Sequence, residues 1–173
     1  NFGIALRAYQ FLASCQDQVT GGVYAEVDRE SGALESNSTA CLCIAALMCG
    51  DIHAAKMAGD ALLDWKLMNG QDDRMYTRWY PGGELQSAFP ASEAIYYVVD
   101  TKSDKQYYWQ VALPMAALTK LYLALGDDRY LHSSVALYDF MLSCRPDVVE
   151  SLTAGKLGWG SAVLYRVTGD TRY

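Results

Sequence analysis

The sequence predicts an all-α fold: one domain over residues 1–173, built from helical hairpins, with a β-hairpin inserted over residues 69–104. A repeated turn is the first observation, because a Leu-Tyr pair is followed, after three residues, by Gly-Asp at Gly126 and again at Gly169. The second observation is that nearly all-apolar runs alternate with amphipathic runs around these turns. Such alternation is typical of buried inner helices covered by outer helices in a repeat architecture.

Each repeated turn combines a helix end with a helix start. A glycine just past a helix end adopts positive φ at little cost, and the following aspartate caps the next helix and suits its N-terminal dipole. We therefore expect Gly126 and Gly169 in the left-handed region at the ends of inner helices. A looser copy of the turn ends at Gly50-Asp51.

The first predicted helix covers residues 2–15 and belongs to the outer set. Its apolar stripe at helical spacing consists of Phe2, Ala5, Tyr9 and Leu12. Gly21-Gly22 ends this region, and residues 23–27 are predicted as a short strand before a polar loop.

The next two segments are predicted as an inner and an outer helix. Residues 38–49 are apolar almost all round, and Ser36, Asn37 and Ser38 are all good N-caps for this inner helix. Asp51 then opens an amphipathic helix. The inward face of that helix consists of Ala54, Ala58, Ala61, Leu62 and Trp65.

The insert interrupts the helical rhythm. Residues 75–80 are aromatic and β-prone, and Pro81-Gly82-Gly83 is a turn signal, so a β-hairpin is predicted there. Residues 94–99 are predicted as a third strand, with the alternative that Ser92 caps a short helix.

The last part of the chain returns to helices. Residues 106–125 form a second inner helix, which we expect to begin near Ala112 so that Pro114 falls in its first turn. Residues 127–144 form an amphipathic outer helix that ends before Pro146. Residues 155–168 form a third inner helix.

Composition and charge exclude several classes of function. The chain is 51% hydrophobic and 20% charged with a net charge of −6 and no basic run, which disfavours nucleic-acid and anionic-membrane partners. The five cysteines lack a Cys-x-x-Cys pair and only two histidines are present, so neither a metal site nor a cofactor is expected. Reduced thiols favour a cytoplasmic location.

The Gly-Asp-x-Arg-Tyr turns resemble those of (α/α) toroid enzymes. That superfamily includes six-hairpin glycosidases, sugar epimerases, terpenoid cyclases and prenyltransferases. A second likeness is to the Gln–Trp repeat motif of triterpene cyclases, which ties an outer helix to the following loop. The residues that carry it are Arg7-Ala8, Phe11-Leu12, Gln16 and Gly22-Val23-Tyr24, with Tyr24 in place of Trp.

The resemblance implies a ring of five to seven hairpins around a cavity, and this sequence carries fewer. We therefore expect an incomplete toroid, with a second chain or a missing segment completing the ring. The aspartate-rich motifs of the cyclases are not found, since Asp72-Asp73 is only a pair. His53 and His132 both fall on outer helices, away from a central cavity.

In toroids of this kind the cavity opens at the N-terminal ends of the inner helices, which we call the mouth. Candidate acid–base catalysts in the loops at that end are Glu35, Asp73, Asp104 and Glu150. Candidate substrate-binding residues are Tyr76, Arg78, Trp79, Tyr107, Tyr108, Trp109, Lys156 and Trp159. Of these, Trp79, Tyr108 and Trp159 are expected to line one pocket, with Trp109 replacing Tyr108 if helical rotation turns it inward.

Three functions remain open at this stage. The first is an enzyme that holds a sugar-like ring in an aromatic cavity and acts by acid–base chemistry as a hydrolase, lyase or isomerase. The second is a cyclase or isomerase of a terpenoid or polyketide. The third is a binding or scaffold protein without catalysis. A carboxylate pair in the cavity favours the first, and an apolar, aromatic cavity with one or two donors favours the second.

Overall fold

The computed structural model describes residues 2–70 and 73–173, so Asp72 lies outside the described residues. The fold is mainly helical with a small antiparallel sheet component, in agreement with the predicted class. Its α-helices are α1 (Phe2–Ser14), α2 (Ser36–Cys49), α3 (Ile52–Asn69), α4 (Trp109–Leu125), α5 (Asp128–Ser143) and α6 (Gly155–Thr168). Its strands are β1 (Leu34–Glu35), β2 (Arg74–Tyr76), β3 (Arg78–Tyr80), β4 (Glu84–Leu85) and β5 (Val98–Asp100), with 3₁₀ turns at Ala91–Tyr96, Pro146–Val148 and Leu152–Ala154.

The helices form two layers. In the inner layer α2 packs against α4 and α4 packs against α6, while α1 and α3 cover α2 and α5 covers α4. Helix α4 is the centre of the core, because every residue from Gln110 to Thr119 is buried. The predicted inward face of α3, from Ala54 to Trp65, is buried as well. The predicted alternation holds for α2 to α5. Helix α6, predicted as a third buried inner helix, packs on α4 but buries only Leu157, Gly160 and Leu164, since no helix among the described residues covers its other side.

The inner helices run in the same direction, with their N-terminal ends adjacent. Ser36, the first residue of α2, donates a hydrogen bond to the carbonyl of Gln110, the second residue of α4. The first turns of α4 and α6 in turn share a cleft. Loops that precede the inner helices are thereby collected at one end of the molecule.

The Gly-Asp turns have the predicted geometry. Gly50, Gly126 and Gly169 follow α2, α4 and α6 with φ of 79°, 72° and 70°, all in the left-handed region. The side chains of Asp51 and Asp127 cap α3 and α5 by accepting backbone N–H bonds. The prediction for these turns is confirmed.

Gln16 ties α1 to the rest of the molecule. Its buried amide donates to the carbonyls of Gly21, at 2.9 Å, and of Ala54 in α3, at 3.3 Å. The Tyr9 hydroxyl donates to the Asp51 carboxylate at 2.6 Å. An outer helix is thus joined to its following loop through the expected glutamine. Tyr24 hydrogen-bonds Asp17 and is covered by the Arg29 guanidinium, so it does not share the Gln16 contacts.

The insert contains the predicted hairpin, but its remaining part differs from the prediction. Strands β3 and β4 pair antiparallel across the 81–83 turn, and β1 pairs with the other edge of β3. The third strand predicted over residues 94–99 is wrong in extent: Ala91–Tyr96 is a 3₁₀ helix, and the strand β5 begins at Val98 and pairs with β2 in a separate sheet. The strand expected over residues 23–27 is reduced to isolated bridges at Val23 and Tyr24.

Two predicted helix starts are corrected. Helix α4 begins at Trp109 rather than near Ala112, which places Pro114 in the helix interior, where tertiary contacts compensate for the backbone bond that proline cannot make. Helix α2 begins at Ser36 with Glu35 as its N-cap residue and without a side-chain cap. Ser38 donates to the Glu35 carboxylate instead of capping the backbone.

Within residues 2–70 and 73–173, no helix combines the length and the apolar composition needed to cross a membrane.

The cysteines are all free thiols; Cys15, Cys43 and Cys144 are buried, Cys41 is half-buried and Cys49 is exposed. The predicted reduced state of the cysteines agrees with this structure. The two histidines, on α3 and α5, are both exposed.

Candidate functional site

An aromatic cleft lies between the first turns of α4 and α6. Its volume is about 410 Å³, within the usual range for small-molecule sites. We call it the Trp cleft and define it by its lining residues, which are Trp109, Leu113, Leu152, Thr153, Gly155, Lys156 and Trp159. Helical spacing explains the lining, since Trp109 and Leu113 lie one turn apart on α4, and Lys156 and Trp159 lie one turn apart on α6.

Two lysines, from two different helices, lie near the ring of Trp159. The ammonium of Lys156 lies 5.7 Å from the ring centroid, and the ammonium of Lys120, from α4, lies 5.3 Å from the same centroid. Both distances are within the range of a cation–π interaction. The cleft therefore presents indole surface together with positive charge.

The aromatic surface continues from the cleft onto the insert. The rings of Trp109 and Tyr107 have centroids 5.7 Å apart, and Tyr107 meets Tyr96 edge to face at 5.5 Å. Tyr107 is half-buried and Tyr96 is exposed. The row extends the aromatic surface beyond the cleft.

A second cluster of side chains surrounds Arg78 at the N-terminal end of α2. Antiparallel pairing of β1 with β3 places Glu35 opposite Arg78, and the Arg78 Nε lies 3.6 Å from the Glu35 Oε1. Both side chains are largely buried, with 17% of Glu35 and 14% of Arg78 exposed. The other oxygen of Glu35 accepts from the Ser38 hydroxyl at 2.6 Å. This carboxylate is therefore held in place from two sides.

Arg78 makes further contacts on the side away from Glu35. It donates to Glu26 Oε1 at 3.3 Å, and its guanidinium lies 4.6 Å from the ring centroid of Tyr97. Tyr97 in turn stacks on Phe89 with centroids 5.0 Å apart. We call the group Glu26, Glu35, Arg78 and Tyr97 the arginine cluster.

Glu26 of the arginine cluster has a pKa below the ordinary value for glutamate. A hydrogen bond from Ser31, followed by the neighbouring Arg78, lowers the pKa of Glu26 against the opposing effect of burial. The arrangement is a buried cation flanked by two carboxylates, a group able to orient a polar ligand or to take part in proton transfer.

The Cys41 thiol on α2 is affected by charges from both the arginine cluster and the Trp cleft. Burial raises the pKa of Cys41, the Glu35 carboxylate raises it further, and the Lys156 ammonium lowers it. Glu35 and Lys156 are therefore both within electrostatic reach of one thiol on α2. The raised pKa keeps Cys41 protonated and makes it a poor nucleophile.

The other three proposed acids lie apart from Glu35. Asp73 is exposed and forms an ion pair with Lys102. Asp104 is exposed and lines a different cleft, of about 460 Å³, together with residues of the insert such as Arg74 and Asp100. Glu150 is exposed, in the loop between the last two 3₁₀ turns. These acids do not share a site with Glu35.

Two of the aromatic residues chosen for the pocket are packed in the core. Tyr108 is 0% exposed, and its hydroxyl donates to the Asp147 carboxylate at 2.8 Å. Burial and this hydrogen bond raise the pKa of Tyr108 to about 12. Trp79 is 3% exposed, and Tyr76 is half-buried. Of the two neighbouring aromatic residues, Trp109 lines the cleft, because Tyr108, the residue just before α4, is directed toward the core.

Several residues in or beside these clusters were not among the candidates from the sequence, and three of them are charged or polar side chains on which the proposals below rely. Glu26 is in a polar loop and reaches Arg78 only through the fold. Thr153 is in the 3₁₀ turn before α6. Lys120 had a visible signal, since it is the one charged residue in the seventeen-residue apolar helix α4.

Comparison of the chain with protein-family models, curated proteins and solved structures finds no match in any of the three.

Proposed function

We propose that this protein is an enzyme that holds a ring-shaped, sugar-like small molecule in the Trp cleft and acts on it by acid–base chemistry. The observation that carries the proposal is that Trp109 and Trp159, from different inner helices, line one cleft beside Lys156. Indole faces cover the apolar faces of a ring, while Lys156 and Thr153 supply donors for its polar groups.

Glu35 is the acid–base residue that we propose. It is the one acid among the four candidates that lies at the N-terminal end of an inner helix next to Arg78, and it is largely withdrawn from solvent. Glu26, on the other side of Arg78, is a second carboxylate within the same cluster. Glycoside chemistry ordinarily uses two carboxylates, so this pair supports the sugar hypothesis.

The architecture we propose for this enzyme is an incomplete (α/α) toroid, with the Trp cleft at its mouth. The alternation of inner and outer helices and the common direction of α2, α4 and α6 support it. A second chain or a further segment would complete the ring beside α6. We further propose a cytoplasmic enzyme that needs no cofactor.

A second candidate function is cyclisation or isomerisation of a terpenoid or polyketide. The lining of the Trp cleft favours it, because Thr153 and Lys156 are the polar side chains in an otherwise apolar and aromatic surface. In such a reaction the shape of the cavity orients the substrate and few polar groups are needed.

Ligand titrations followed by tryptophan fluorescence test the proposal. We expect cyclic ligands to bind the wild-type chain, and Trp159→Ala to weaken binding at least about tenfold, or 1.4 kcal/mol. Tyr165→Ala is the matched control, since Tyr165 is half-exposed on the same helix and does not line the cleft. Sugars and apolar cyclic compounds compared on the same variants separate the two candidates. Binding that Trp109→Ala and Trp159→Ala both leave unchanged would remove the Trp cleft as the site.

A test of the chemistry uses Glu35→Gln. Turnover of a ligand found in the titration should fall at least about hundredfold if Glu35 is the acid–base group, while ligand affinity changes little. Full turnover by this variant would leave the cleft as a binding site and eliminate the acid–base role of Glu35.

A further inference from the structure

Some basic residues in the described part of the chain are paired with a carboxylate, and others, among them the two lysines beside Trp159, are not. Arg74, Arg78 and Lys56 each have a carboxylate partner within 4.0 Å. Lys120 and Lys156 have no carboxylate within 4.0 Å among residues 2–70 and 73–173, and both lie near the Trp159 ring. Lys156 is exposed to solvent and Lys120 is half-buried. An ammonium has three donors that an indole face does not satisfy, so those of exposed Lys156 face water, which an anionic ligand can replace.

Lys120 is the more informative of the two because of where it lies. It is half-buried and is the one charged side chain of α4, a helix whose residues 110–119 are all buried. Keeping a charge beside an apolar core is unfavourable unless a partner is supplied. Lys156 brings a second positive charge to the same ring, which adds repulsion between the two ammonium groups.

Glu35, a carboxylate that acts on the same Cys41 thiol as Lys156, is already engaged by other groups. Its two oxygens interact with Arg78 and Ser38, and it acts on Cys41 from the α2 side. The positive charge at Trp159 is thus left without a counter-ion from the described chain, at the edge of a cleft of suitable size for a small molecule.

From this arrangement we infer that the ligand of the Trp cleft carries an anionic substituent, a carboxylate on a cyclic organic molecule, which binds between Lys120 and Lys156 while its ring stacks on the indoles. The inference rests on the proposed binding role of the cleft. Both ammonium groups would gain a charge-assisted hydrogen bond, and their mutual repulsion would be neutralised. Neutral cyclic molecules of the same shape would lack both gains.

Matched pairs of probes test this inference. The pairs are glucose with glucuronate and cyclohexanol with cyclohexanecarboxylate, titrated into the wild-type chain at low salt and followed by tryptophan fluorescence and by the shift in melting temperature. We expect the carboxylated member of at least one pair to bind tenfold or more tightly than its neutral partner. We expect acetate alone to bind at least tenfold more weakly than that carboxylated ring.

Variants assign the preference to the two lysines. Lys120→Met and Lys156→Met remove charge while keeping an unbranched side chain of similar length, and the double variant should reduce the preference to less than twofold. Lys56→Met, which makes the same change on the exposed face of α3, should leave the preference unchanged. The melting temperature of Lys120→Met without ligand should equal or exceed that of the wild type, because the substitution removes a partly desolvated charge.

The outcomes separate this inference from the proposed function. Equal binding of neutral and carboxylated rings, with both lost in Trp159→Ala, would overturn the anionic ligand and leave the cleft intact. Binding of acetate as tight as that of the carboxylated ring would overturn recognition of a cyclic anion. No Trp159-dependent binding of any probe would overturn both proposals.

Discussion

The hydroxyl of Ser36 donates a hydrogen bond to the carbonyl oxygen of Gln110 at 3.3 Å, across the contact between α2 and α4. Gln110 is four residues before Pro114, so its carbonyl is the one that loses its helical partner to the proline. The first residue of one inner helix thus compensates for a proline inside the next. This contact also holds the N-terminal ends of α2 and α4 together, next to the proposed site.

The Ser36 contact predicts a coupling between two positions. Ser36→Ala should lower the free energy of unfolding by about 1–3 kcal/mol, the cost of an unsatisfied buried polar group. In a Pro114→Ala background residue 114 supplies an N–H to Gln110, so the same substitution should cost at least about 0.5 kcal/mol less. A double-mutant cycle by urea denaturation measures the difference, and strict additivity would mean that Ser36 does not compensate for Pro114.

Neighbouring aromatic residues at the start of α4 should respond differently to truncation. Tyr108 is fully buried, so Tyr108→Ala should lower the free energy of unfolding by about 3–5 kcal/mol. Trp109 is half-buried at the cleft, so Trp109→Ala should lower it by less and should weaken ligand binding. Chemical denaturation of both variants is the measurement. The reverse order of stabilities would place Trp109 in the core.

Two glycines with positive φ offer a matched comparison. Gly126→Ala meets no atom within 4 Å and should cost only the strain of a left-handed residue, about 1–2 kcal/mol. A methyl group at Gly21 would lie 2.2 Å from the carbonyl oxygen of Met57, so Gly21→Ala should cost at least about 1 kcal/mol more. Melting temperatures of the two variants test this, and equal losses would show that the loop after α1 moves freely to accept the methyl group.

The ion pairs of two arginines should differ in their effect on stability. Arg78→Met leaves Glu35 and Glu26 without their cation in a largely buried cluster, so we expect a loss of about 3 kcal/mol. Arg74→Met removes an arginine that is 61% exposed, and its partner Asp100, which is 16% exposed, keeps the hydrogen bond from the Lys102 backbone N–H, so the loss should be at most about 1 kcal/mol. Equal effects in denaturation experiments would assign the arginine cluster to the surface.

Acid should destabilise the protein partly through Asp147. The backbone N–H of Lys105, and then the Tyr108 hydroxyl, lower the pKa of Asp147 below its ordinary value of about 3.9. A lowered folded-state pKa gives stability that is present above the ordinary pKa and is lost as pH falls through the folded-state pKa. We therefore expect the difference in stability between wild type and Asp147→Asn to be largest above about pH 5 and to shrink at lower pH. A difference that grows toward low pH would contradict the assignment.

The helix ends, the helix caps and the layering of the helices could be predicted from the sequence alone. Glycine at 50, 126 and 169 ends a helix because positive φ is cheap there, and aspartate at 51 and 127 caps the next helix. The alternation of apolar and amphipathic runs predicted the layers, since burial on all sides requires an apolar surface all round. These features depend on residues a few positions apart, so spacing in the sequence is sufficient to predict them.

The arrangement of the site was decided by tertiary structure. The register between β1 and β3 brings Glu35 opposite Arg78, and packing of α4 against α6 brings Lys120 over Trp159. The rotation of α4 that buries Tyr108 and leaves Trp109 at the cleft depends in the same way on the helices around it. A shift of one residue in strand register, or a quarter-turn rotation of a helix, changes which side chains face the site. The free energy that selects one arrangement comes from packing between residues far apart in the sequence.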